Sequence, residues 1–463
     1  MHNRQEYALD NSGIIHLAIF KLGKSNLFRF CVTLTEPIQP EILQTALHTI
    51  TPRFPTMVAG ILGRMFQHKV IPVDQPPDIE PDCCPLHFMS SKRIKECAMR
   101  VLYGEYHIAL EFFHSLTDGY GSYIFMKALL AEYLNLLHGT QCTEDVKVPP
   151  QEAVEDSFLK YAGKKKAPFN GTCSYLPEWG ESDGQLHITT GIYDVGDLLR
   201  ISHNYGVSLT TLLTAVMAGA VMELQEHHCK RPGKMKPVQI MVPVNLRKKF
   251  PSNTVRNFAL YALPCMHPGD QNLSLEEQVK RIDIQLKQQL SIRNLRAMMA
   301  TNVELDKNCI LRALPLAWKC LGLKIGYHFV GKKNSSLSLS NLGSLEFPEE
   351  MRPFIRRADL MLSPRTNAPY NCGVVSCNGK LYINFSRNSA EPELERIFFR
   401  KIHEMRCAAD VEVDGAPIEF GSFVLNEPSK EEHIIEEVTP SAGDNFIVLR
   451  GDDLTGTLTV TAE

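Results

Sequence analysis

Hydrophobic residues recur along this chain in two patterns, short apolar runs and longer amphipathic segments, which predict strands alternating with helices. Residues 27–34 give the clearest strand, and residues 120–137 repeat apolar side chains at helical spacing. In the first third of the chain the pattern predicts, in order, strand 27–34, helix 41–50, strands 56–62, 69–73, 95–103 and 106–113, and helix 120–137. Such an order is typical of an α/β fold.

The alternation resumes after a break in the pattern. Residues 139–183 lose periodicity and hold many prolines and glycines, so they predict a linker or a long crossover. The elements predicted beyond it are strand 185–193, helix 209–224, strands 237–245 and 257–264, helix 274–299, an amphipathic helix in 311–330, strands 336–340, 358–362, 372–377 and 380–385, and helix 391–405. Ser208 is the expected N-cap of one helix, and Ser274 with Glu277 is spaced as a capping box.

The break divides the chain into two α/β regions of similar predicted build, without a clear internal repeat. We predict an N-terminal domain over residues 1–150, a linker or crossover over 151–183, a C-terminal domain over 184–410 and a tail over 411–463. In the tail, residues 445–449 and 457–461 can pair as a hairpin. A chain of 463 residues is long enough for two sizeable cores.

Composition and charge argue against several classes of function. A net charge of −3 gives no electrostatic basis for binding nucleic acid, and the three lysines at 164–166 are too few for anionic lipid. The polar N-terminus lacks an apolar signal segment, and the most apolar window, 311–330, carries charges that disfavour a membrane span. The 13 cysteines form no C-x-x-C pair, which is typical of a reducing compartment. We therefore expect a cytoplasmic protein.

Six residues between a predicted strand and a predicted helix carry the most informative chemistry. Residues 114–119 read His-Ser-Leu-Thr-Asp-Gly, which places a histidine, a carboxylate and a glycine in one strand-to-helix turn. Histidine is the side chain whose pKa is naturally close to neutral pH, so His114 is a candidate general base. The positive end of the following helix would favour the neutral, proton-accepting ring.

The other residues of this turn have more than one interpretation. Asp118 could hold the turn by pairing with a distant arginine, or it could hydrogen-bond His114 itself. Gly119 is expected to allow a positive φ and a close approach of chain or ligand. The alternative for the whole segment is an ordinary turn in which backbone groups satisfy the histidine.

Residues 114–119 resemble the HxxxDG signature of the CoA-dependent acyltransferase superfamily, which includes chloramphenicol acetyltransferase, plant BAHD acyltransferases, alcohol acetyltransferases and nonribosomal condensation domains. Two further segments match in order. Residues 242–247 (VPVNLR), followed by Asn257, resemble the segment whose arginine pairs with the motif aspartate. Residues 339–343 (LSNLG) resemble the S-N-x-G strand end that lines the channel in the alcohol acetyltransferase-like branch.

The resemblance implies a fold and a reaction. The fold would be two chloramphenicol-acetyltransferase-like α/β domains, related by a pseudo-twofold axis, with an active-site channel between them. The reaction would move an acyl group, most simply acetyl, from acyl-CoA to a small alcohol without an acyl-enzyme. Acyl-CoA would be a co-substrate, with no metal or bound prosthetic group, and the protein would act as a monomer without nucleic acid. No residue can be assigned to coenzyme A binding from the sequence.

The resemblance also implies roles for single residues of the motif segments. These are His114 as general base, Asp118 and Gly119 as motif residues, Arg247 as the structural partner of Asp118, Ser340 or Asn341 as donor to the tetrahedral oxyanion, and Asn257 as a brace of the channel.

Differences from the motifs of the superfamily indicate which of its branches this chain resembles most. Condensation domains carry a second histidine just before the base, where this chain has Phe113, and the D-F-G-W-G sequence of the plant branch is absent. Both favour the microbial alcohol acetyltransferase-like group. The alternatives left open are a condensation-type enzyme that uses a carrier-protein thioester or an amine acceptor, and a non-catalytic binding module of the same fold.

Overall fold

The structure is a computed structural model, and it describes residues 5–20, 26–143, 150–166, 174–175, 185–229, 232–303, 318, 335–364 and 370–425. The helices in these ranges are α1 (Asn11–Phe20), α2 (Pro40–Ile50), α3 (Ser91–Glu96), α4 (Gly119–His138), α5 (Pro150–Ala153), α6 (Ser157–Tyr161), α7 (Val195–Asn204), α8 (Leu209–His228), α9 (Leu275–Gln289), α10 (Ile292–Asn302), α11 (Glu393–Glu404) and α12 (Phe420–Leu425). The strands are β1 (Tyr7–Ala8), β2 (Leu27–Leu34), β3 (Ala59–Gly63), β4 (His68–Pro72), β5 (Glu80–Pro81), β6 (Met99–Tyr103), β7 (His107–Phe113), β8 (His187–Asp194), β9 (Val238–Asn245), β10 (Ala259–Ala262), β11 (Cys265–Met266), β12 (Leu337–Ser344), β13 (Ile355–Leu362), β14 (Tyr370–Cys377), β15 (Lys380–Arg387), β16 (Asp410–Val413) and β17 (Ala416–Ile418).

A five-stranded sheet in the order β13-β2-β7-β6-β5 organises the first part of the chain. Phe28, Phe30 and Phe112 on its central strands are fully buried, in one apolar core with residues of α2 and α4. Burial of such aromatic side chains is the main stabilising contribution of this layer. Helix α4 ends at His138, and the left-handed conformation of the following Gly139 closes the last turn. The same part of the chain also forms a smaller sheet, in the order β1-β4-β3.

A nine-stranded sheet organises the second part, in the order β10-β9-β12-β14-β15-β8-β16-β17 with β11 also paired to β9. Strand β12 runs parallel to both of its neighbours, and the other pairs are antiparallel. Helix α8 is buried on most of its circumference, because α7, α9, α11 and β9 all pack against it. Its N-cap is Ser208, as predicted, and the capping box of Ser274 and Glu277 is present at α9.

Strand β13 joins the two sheets. It lies late in the chain, yet it pairs with β2 along almost its whole length. It also packs on β14 so closely that a Cβ on Gly373 would lie 2.1 Å from the carbonyl oxygen of Leu360. Arg357 of β13 adds an ion pair to Glu412 of β16, with 2.7 Å between nitrogen and oxygen. The two sheets are therefore held together by strand pairing on one side and by close backbone packing on the other.

The mixed α/β class agrees with the prediction. The division into two domains related by a pseudo-twofold axis, with a channel between them, stays a prediction. The two sheets differ in strand number and order, and no pseudo-twofold relation is established between them. Because β13 falls inside the predicted C-terminal range 184–410 and completes the sheet of range 1–150, the sequence ranges do not coincide with the two sheets.

The predicted strand 95–103 is wrong in its first half. Ser91–Glu96 forms α3, and the strand begins only at Met99. The Ser90 side chain accepts a hydrogen bond from the backbone N–H of Arg93, which caps this short helix. A cap followed by one buried residue per turn is too weak a periodic signal to separate a six-residue helix from a strand.

The predicted helix 274–299 is two helices, α9 and α10, with a break between them. Two side chains satisfy carbonyls that the break exposes: Lys249 donates to the Leu290 oxygen at 2.6 Å, and Asn294 donates to the Gln288 oxygen at 2.7 Å. Since Lys249 lies far away in sequence, the hydrophobic period of the segment contains no sign of the break.

Helices α1 and α7 and the hairpin β16–β17 were not expected from the pattern. The expected amphipathic helix in 311–330 and the expected hairpin of 445–449 with 457–461 lie outside the described residues. Within the described ranges no single helix has the length and hydropathy to cross a membrane, although α7 and α8, bent by 84°, reach the criterion as a pair.

Candidate active site

The turn at residues 114–119 lies at the end of β7, where the two parts of the chain meet. The backbone N–H of His114 donates to the Asn26 carbonyl at 3.0 Å, which continues the pairing of β7 with β2 by one residue. The hydroxyl of Thr117 donates across the junction to the carbonyl of Val255 at 2.5 Å. The His114 side chain is half-buried, with its Nδ1 atom fully buried.

Asp118 caps helix α4 and accepts from the opposite part of the chain. Its Oδ1 accepts from the backbone N–H of Gly121 at 3.0 Å, as an N-cap does. Its Oδ2 accepts from Arg247 and from the backbone N–H of Phe258, both at 2.8 Å. Of the two interpretations left open by the sequence, the structure therefore has the arginine pair.

Arg247 follows β9 in a short helical turn and uses its whole guanidinium fork. Besides Asp118, it donates to the carbonyls of Thr254 at 3.0 Å and Arg256 at 2.7 Å. The ring of Tyr120 lies 4.6 Å from the guanidinium carbon, within cation–π distance. Burial raises the pKa of Tyr120, so this ring stays neutral and keeps that contact. A buried arginine with so many partners fixes the position of the turn relative to β9.

Asn257 lies two residues before β10 and bonds to the same turn. Its side-chain amide donates to the backbone carbonyls of His114 at 3.0 Å and of Ser115 at 3.3 Å. These bonds fix the backbone of the histidine from the opposite part of the chain.

Gly119 serves close packing and not a positive φ. It is the first residue of α4 and is not among the residues with positive φ. A Cβ at this position would lie 2.5 Å from Cδ2 of Leu342 on β12. Gly121 is tighter still, since its Cβ would lie 2.3 Å from the Val255 carbonyl oxygen. The predicted close approach at Gly119 agrees with the structure, whereas the predicted positive φ is wrong.

Ser340 and Asn341 lie on β12, the strand whose Leu342 touches Gly119. Asn341 donates to the Thr210 hydroxyl at 3.0 Å and accepts from the backbone N–H of Gly343 at 2.8 Å. These bonds brace an irregularity in β12 against the first turn of α8. Ser340 is half-buried on the same strand.

Residues of α1 were not expected at this site. The imidazole of His16 stacks on that of His114, with ring centroids 4.1 Å apart and planes 8° from parallel. Asn26 donates from its amide to Nδ1 of His16 at 2.7 Å. A single histidine in a mixed segment gives no sequence signal for such a contact, because the two rings are 98 residues apart.

Asp10 anchors α1 to the junction. Its carboxylate accepts from the backbone N–H of Gly13 at 2.7 Å and lies 3.3 Å from the guanidinium of Arg256. Burial raises the pKa of Asp10 to about 6, and the charge of Arg256 only partly offsets this. Among the described residues, no group of three or more His, Cys, Asp or Glu side chains is arranged to hold a metal ion.

Comparison with known proteins gives structural matches only. No family model matches the sequence, and no curated protein matches it. The chain is similar to TRI101 of F. graminearum in complex with coenzyme A and deoxynivalenol, at 9% identity over 88% of this chain and 99% of that chain, with a TM-score of 0.61. It is also similar to TRI3 trichothecene 15-O-acetyltransferase from F. sporotrichioides, at 11% identity over 86% and 94%, with a TM-score of 0.56.

Condensation domains match over a similar length. The starter condensation domain of rhizomide synthetase, in complex with C8-CoA and Leu-SNAC, aligns at 14% identity over 87% of this chain and 94% of that chain, with a TM-score of 0.54. The chain therefore shares the fold of these acetyltransferase and condensation-domain structures. At these identities the likeness concerns the fold.

Proposed function

We propose that this protein is an acyltransferase that moves an acyl group from acyl-CoA to the hydroxyl of a small alcohol, with His114 as general base. The observation that carries the proposal is the position of His114, half-buried at the junction of the two sheets on a turn fixed from both sides. The fold is shared with TRI101, which was solved in complex with coenzyme A, and with the TRI3 trichothecene 15-O-acetyltransferase, which supports acyl-CoA as the donor class.

The proposed reaction needs one base and no covalent intermediate on the protein. His114 takes the proton of the acceptor hydroxyl while that oxygen attacks the thioester carbonyl carbon. The tetrahedral intermediate then expels the coenzyme A sulfur, which takes the proton from the imidazolium. The products are an ester and free coenzyme A. Because Nδ1 of His114 is buried, we assign the proton transfer to Nε2.

The surrounding residues would position these groups. Asp118 accepts from Arg247, Gly121 and Phe258, so its role is to hold the turn and not to share a proton with His114. We assign the oxyanion donor to the hydroxyl of Ser340, because Asn341 is already bonded to Thr210 and Gly343. Both substrates would meet at His114 in a channel between the two parts of the chain, which supplies rate by proximity.

The test is release of coenzyme A from acetyl-CoA and longer acyl-CoAs in the presence of a panel of alcohols. Substituting His114→Ala should lower turnover by about three orders of magnitude or more, since a general base and its positioning are both lost. The matched control is His138→Ala, at the far end of α4 and roughly 28 Å along the helix, which should keep wild-type turnover.

Other results would change the proposal. Transfer to amines but not alcohols, or transfer only from a carrier-protein thioester, would point to the condensation-type alternative. Turnover that is unchanged by His114→Ala would contradict the proposal. Binding of acyl-CoA without any transfer or hydrolysis would indicate a non-catalytic module of the same fold.

A further inference from the structure

We propose that His16 is a positioning residue for His114: its imidazole, stacked parallel on the ring of the base and held by Asn26, fixes the plane in which that base accepts a proton. The inference rests on the proposed function, because it concerns the residue that acts there as base. The resemblance to the superfamily assigned nothing to α1.

Helix α1 is docked on the catalytic turn by its backbone. The hydroxyl of Ser115 donates to the carbonyl of Gly13 at 2.7 Å. A Cβ on Gly13 would lie 2.8 Å from the carbonyl oxygen of Ser115, so the two segments touch without any intervening side chain. Arg256 holds the residues before the helix, donating to the Ala8 carbonyl at 2.6 Å. The helix therefore presents His16 at a fixed distance from His114.

The ring of His114 is in contact with two other rings. His16 stacks on it at 4.1 Å between centroids, and Phe28 of β2 lies 4.8 Å away at a tilt of 54°. Rotation of the His114 ring about its side-chain bonds would have to displace at least one of these rings. A base whose ring is held in this way needs no reorganisation when the acceptor hydroxyl arrives.

Asn26 sets the chemical state of the positioning ring. The side-chain amide of Asn26 donates to Nδ1 of His16 at 2.7 Å and to the backbone carbonyl of His16 at 3.2 Å. The backbone carbonyl of Asn26 accepts from the backbone N–H of His114. A nitrogen that accepts this bond carries no proton, so the ring proton of His16 lies on Nε2 and the ring is neutral. A neutral ring does not repel the imidazolium that forms on His114 during transfer.

The kinetic test compares two substitutions of His16. His16→Ala removes the stacked ring and should lower kcat by about tenfold to hundredfold, with KM for acyl-CoA changed by less than about threefold. His16→Phe keeps a flat ring without any titratable nitrogen and should recover most of the lost kcat. Equal loss in both variants would overturn the proposal, because it would assign proton chemistry and not positioning to His16.

A second measurement works without turnover. In protein carrying ¹³C,¹⁵N-histidine, the Cε1–H resonance of His114 is assigned by its absence in His114→Ala. His16→Ala should move it downfield as the shielding by the stacked ring is lost, and His16→Phe should leave it near its wild-type position. If no acyl-CoA is turned over but the resonance behaves in this way, the proposed function fails and the stacking contact stands. An unmoved resonance in His16→Ala would overturn the proposal.

Controls separate positioning from loss of α1. Ile15→Ala changes the exposed neighbour of His16 on the same helix and should leave both kcat and the His114 resonance unchanged. The ¹⁵N shifts of His16 should show the Nε2–H form, and an Nδ1–H form would contradict the bond from Asn26. A loss of kcat in Ile15→Ala equal to that in His16→Ala would attribute the effect to helix docking and contradict the specific role of the ring.

Discussion

Two buried clusters of arginine and carboxylate have similar chemistry but connect different parts of the molecule. The junction cluster consists of Asp118 and Arg247, and the sheet cluster consists of Arg29, Asp82, Arg100 and Glu111. The junction pair joins residues 129 positions apart, which follow β7 and β9, strands of two different sheets. The sheet cluster joins neighbouring strands of one sheet to the loop that covers them. Only the first contacts the turn that carries His114.

The sheet cluster is built by register. Arg29 on β2 and Arg100 on β6 both lie opposite Glu111 on β7, which is fully buried and accepts from both arginines. Glu111 also accepts from the backbone N–H of Leu86 at 2.6 Å, and the bond from Arg29 to Asp82 ties down the start of the same loop. Loss of the sheet cluster should therefore release the loop that contains Asp82 and Leu86 and leave the junction cluster intact. Both clusters are buried and stabilise the fold. Only the junction cluster is bonded to the turn of the candidate site, so the bonding partners and not the burial distinguish the two.

The largest expected difference between the clusters comes from neutralising each carboxylate. Asp118→Asn and Glu111→Gln keep side-chain shape but leave buried arginine charge uncompensated, so each should lower the free energy of unfolding by roughly 3–5 kcal/mol. Under conditions where both variants are folded, Asp118→Asn should also lower acyl transfer per folded molecule, and Glu111→Gln should not. Urea unfolding followed by circular dichroism, together with coenzyme A release, checks this. Native stability in Asp118→Asn would argue against the role of the Arg247 pair.

A smaller difference is expected when charge is kept and the arginine fork is lost. Lysine at position 247 can pair with Asp118 but cannot also donate to the Thr254 and Arg256 carbonyls, so Arg247→Lys should cost about 2–3 kcal/mol and lower transfer per folded molecule. Arg100→Lys is the matched change in the sheet cluster and should affect stability alone. A loss of transfer in Arg100→Lys would show that the two clusters are coupled through β7.

Sequence reasoning located the junction cluster because a short motif carried it. The turn between β7 and α4 follows from the hydrophobic pattern, while the pairing of Asp118 with Arg247 followed from the resemblance. The sheet cluster also has a sequence signal: β2, β6 and β7 are apolar strands that each carry one charged residue at an inner position, and the charge on β7 has the opposite sign. A buried charge requires a partner, so these strands could have been predicted to be neighbours.

Helix α1 shows what the sequence could not provide. Its segment NSGIIHLAIF is apolar on most of its circumference, so no amphipathic period marks it. Its cap, Asp10, looks like any acidic residue of a polar terminus until the fold places Arg256 beside it. The contact between His16 and His114 depends on how α1 docks, which is set by packing between distant segments and not by local spacing.

The contributions of Asp10 and Asp82 to stability should depend on pH with opposite signs. Because the folded state raises the pKa of Asp10 from 3.8 to about 6, the stabilisation from its protonated form is complete below pH 3.8 and is lost as pH rises through about 6. Between pH 5 and pH 8 this removes about 1.4 kcal/mol. The stability difference between wild type and Asp10→Asn should therefore shrink by that amount across this range in urea unfolding. A pH-independent difference would contradict the burial of this carboxyl.

At Asp82 of the sheet cluster the sign is reversed. Burial alone would raise the pKa of Asp82, but hydrogen bonds from Arg29 and His107 hold the pKa well below its usual range. Its contribution to stability is thus present above the usual carboxyl pKa and is lost as pH falls below it. Asp82→Asn should lower stability at neutral pH and approach wild type only in strong acid, which is the opposite trend to Asp10→Asn.

The smallest expected difference concerns single polar side chains at the two clusters, Asn257 on the turn that the junction cluster holds and His87 on the sheet cluster. Asn257→Ala removes the hydrogen bonds to the carbonyls of His114 and Ser115 and should cost about 1–2 kcal/mol, with a fall in kcat for the proposed acyl transfer because the backbone of His114 is released. His87→Ala removes an exposed ring that bonds Arg100 and should change stability by less than about 0.5 kcal/mol, with kcat unchanged. Thermal unfolding and coenzyme A release on the same preparations compare them. If Asn257→Ala lost stability but kept full kcat, the other contacts of the turn would suffice to hold it, and the histidine would not depend on the brace that Asn257 provides.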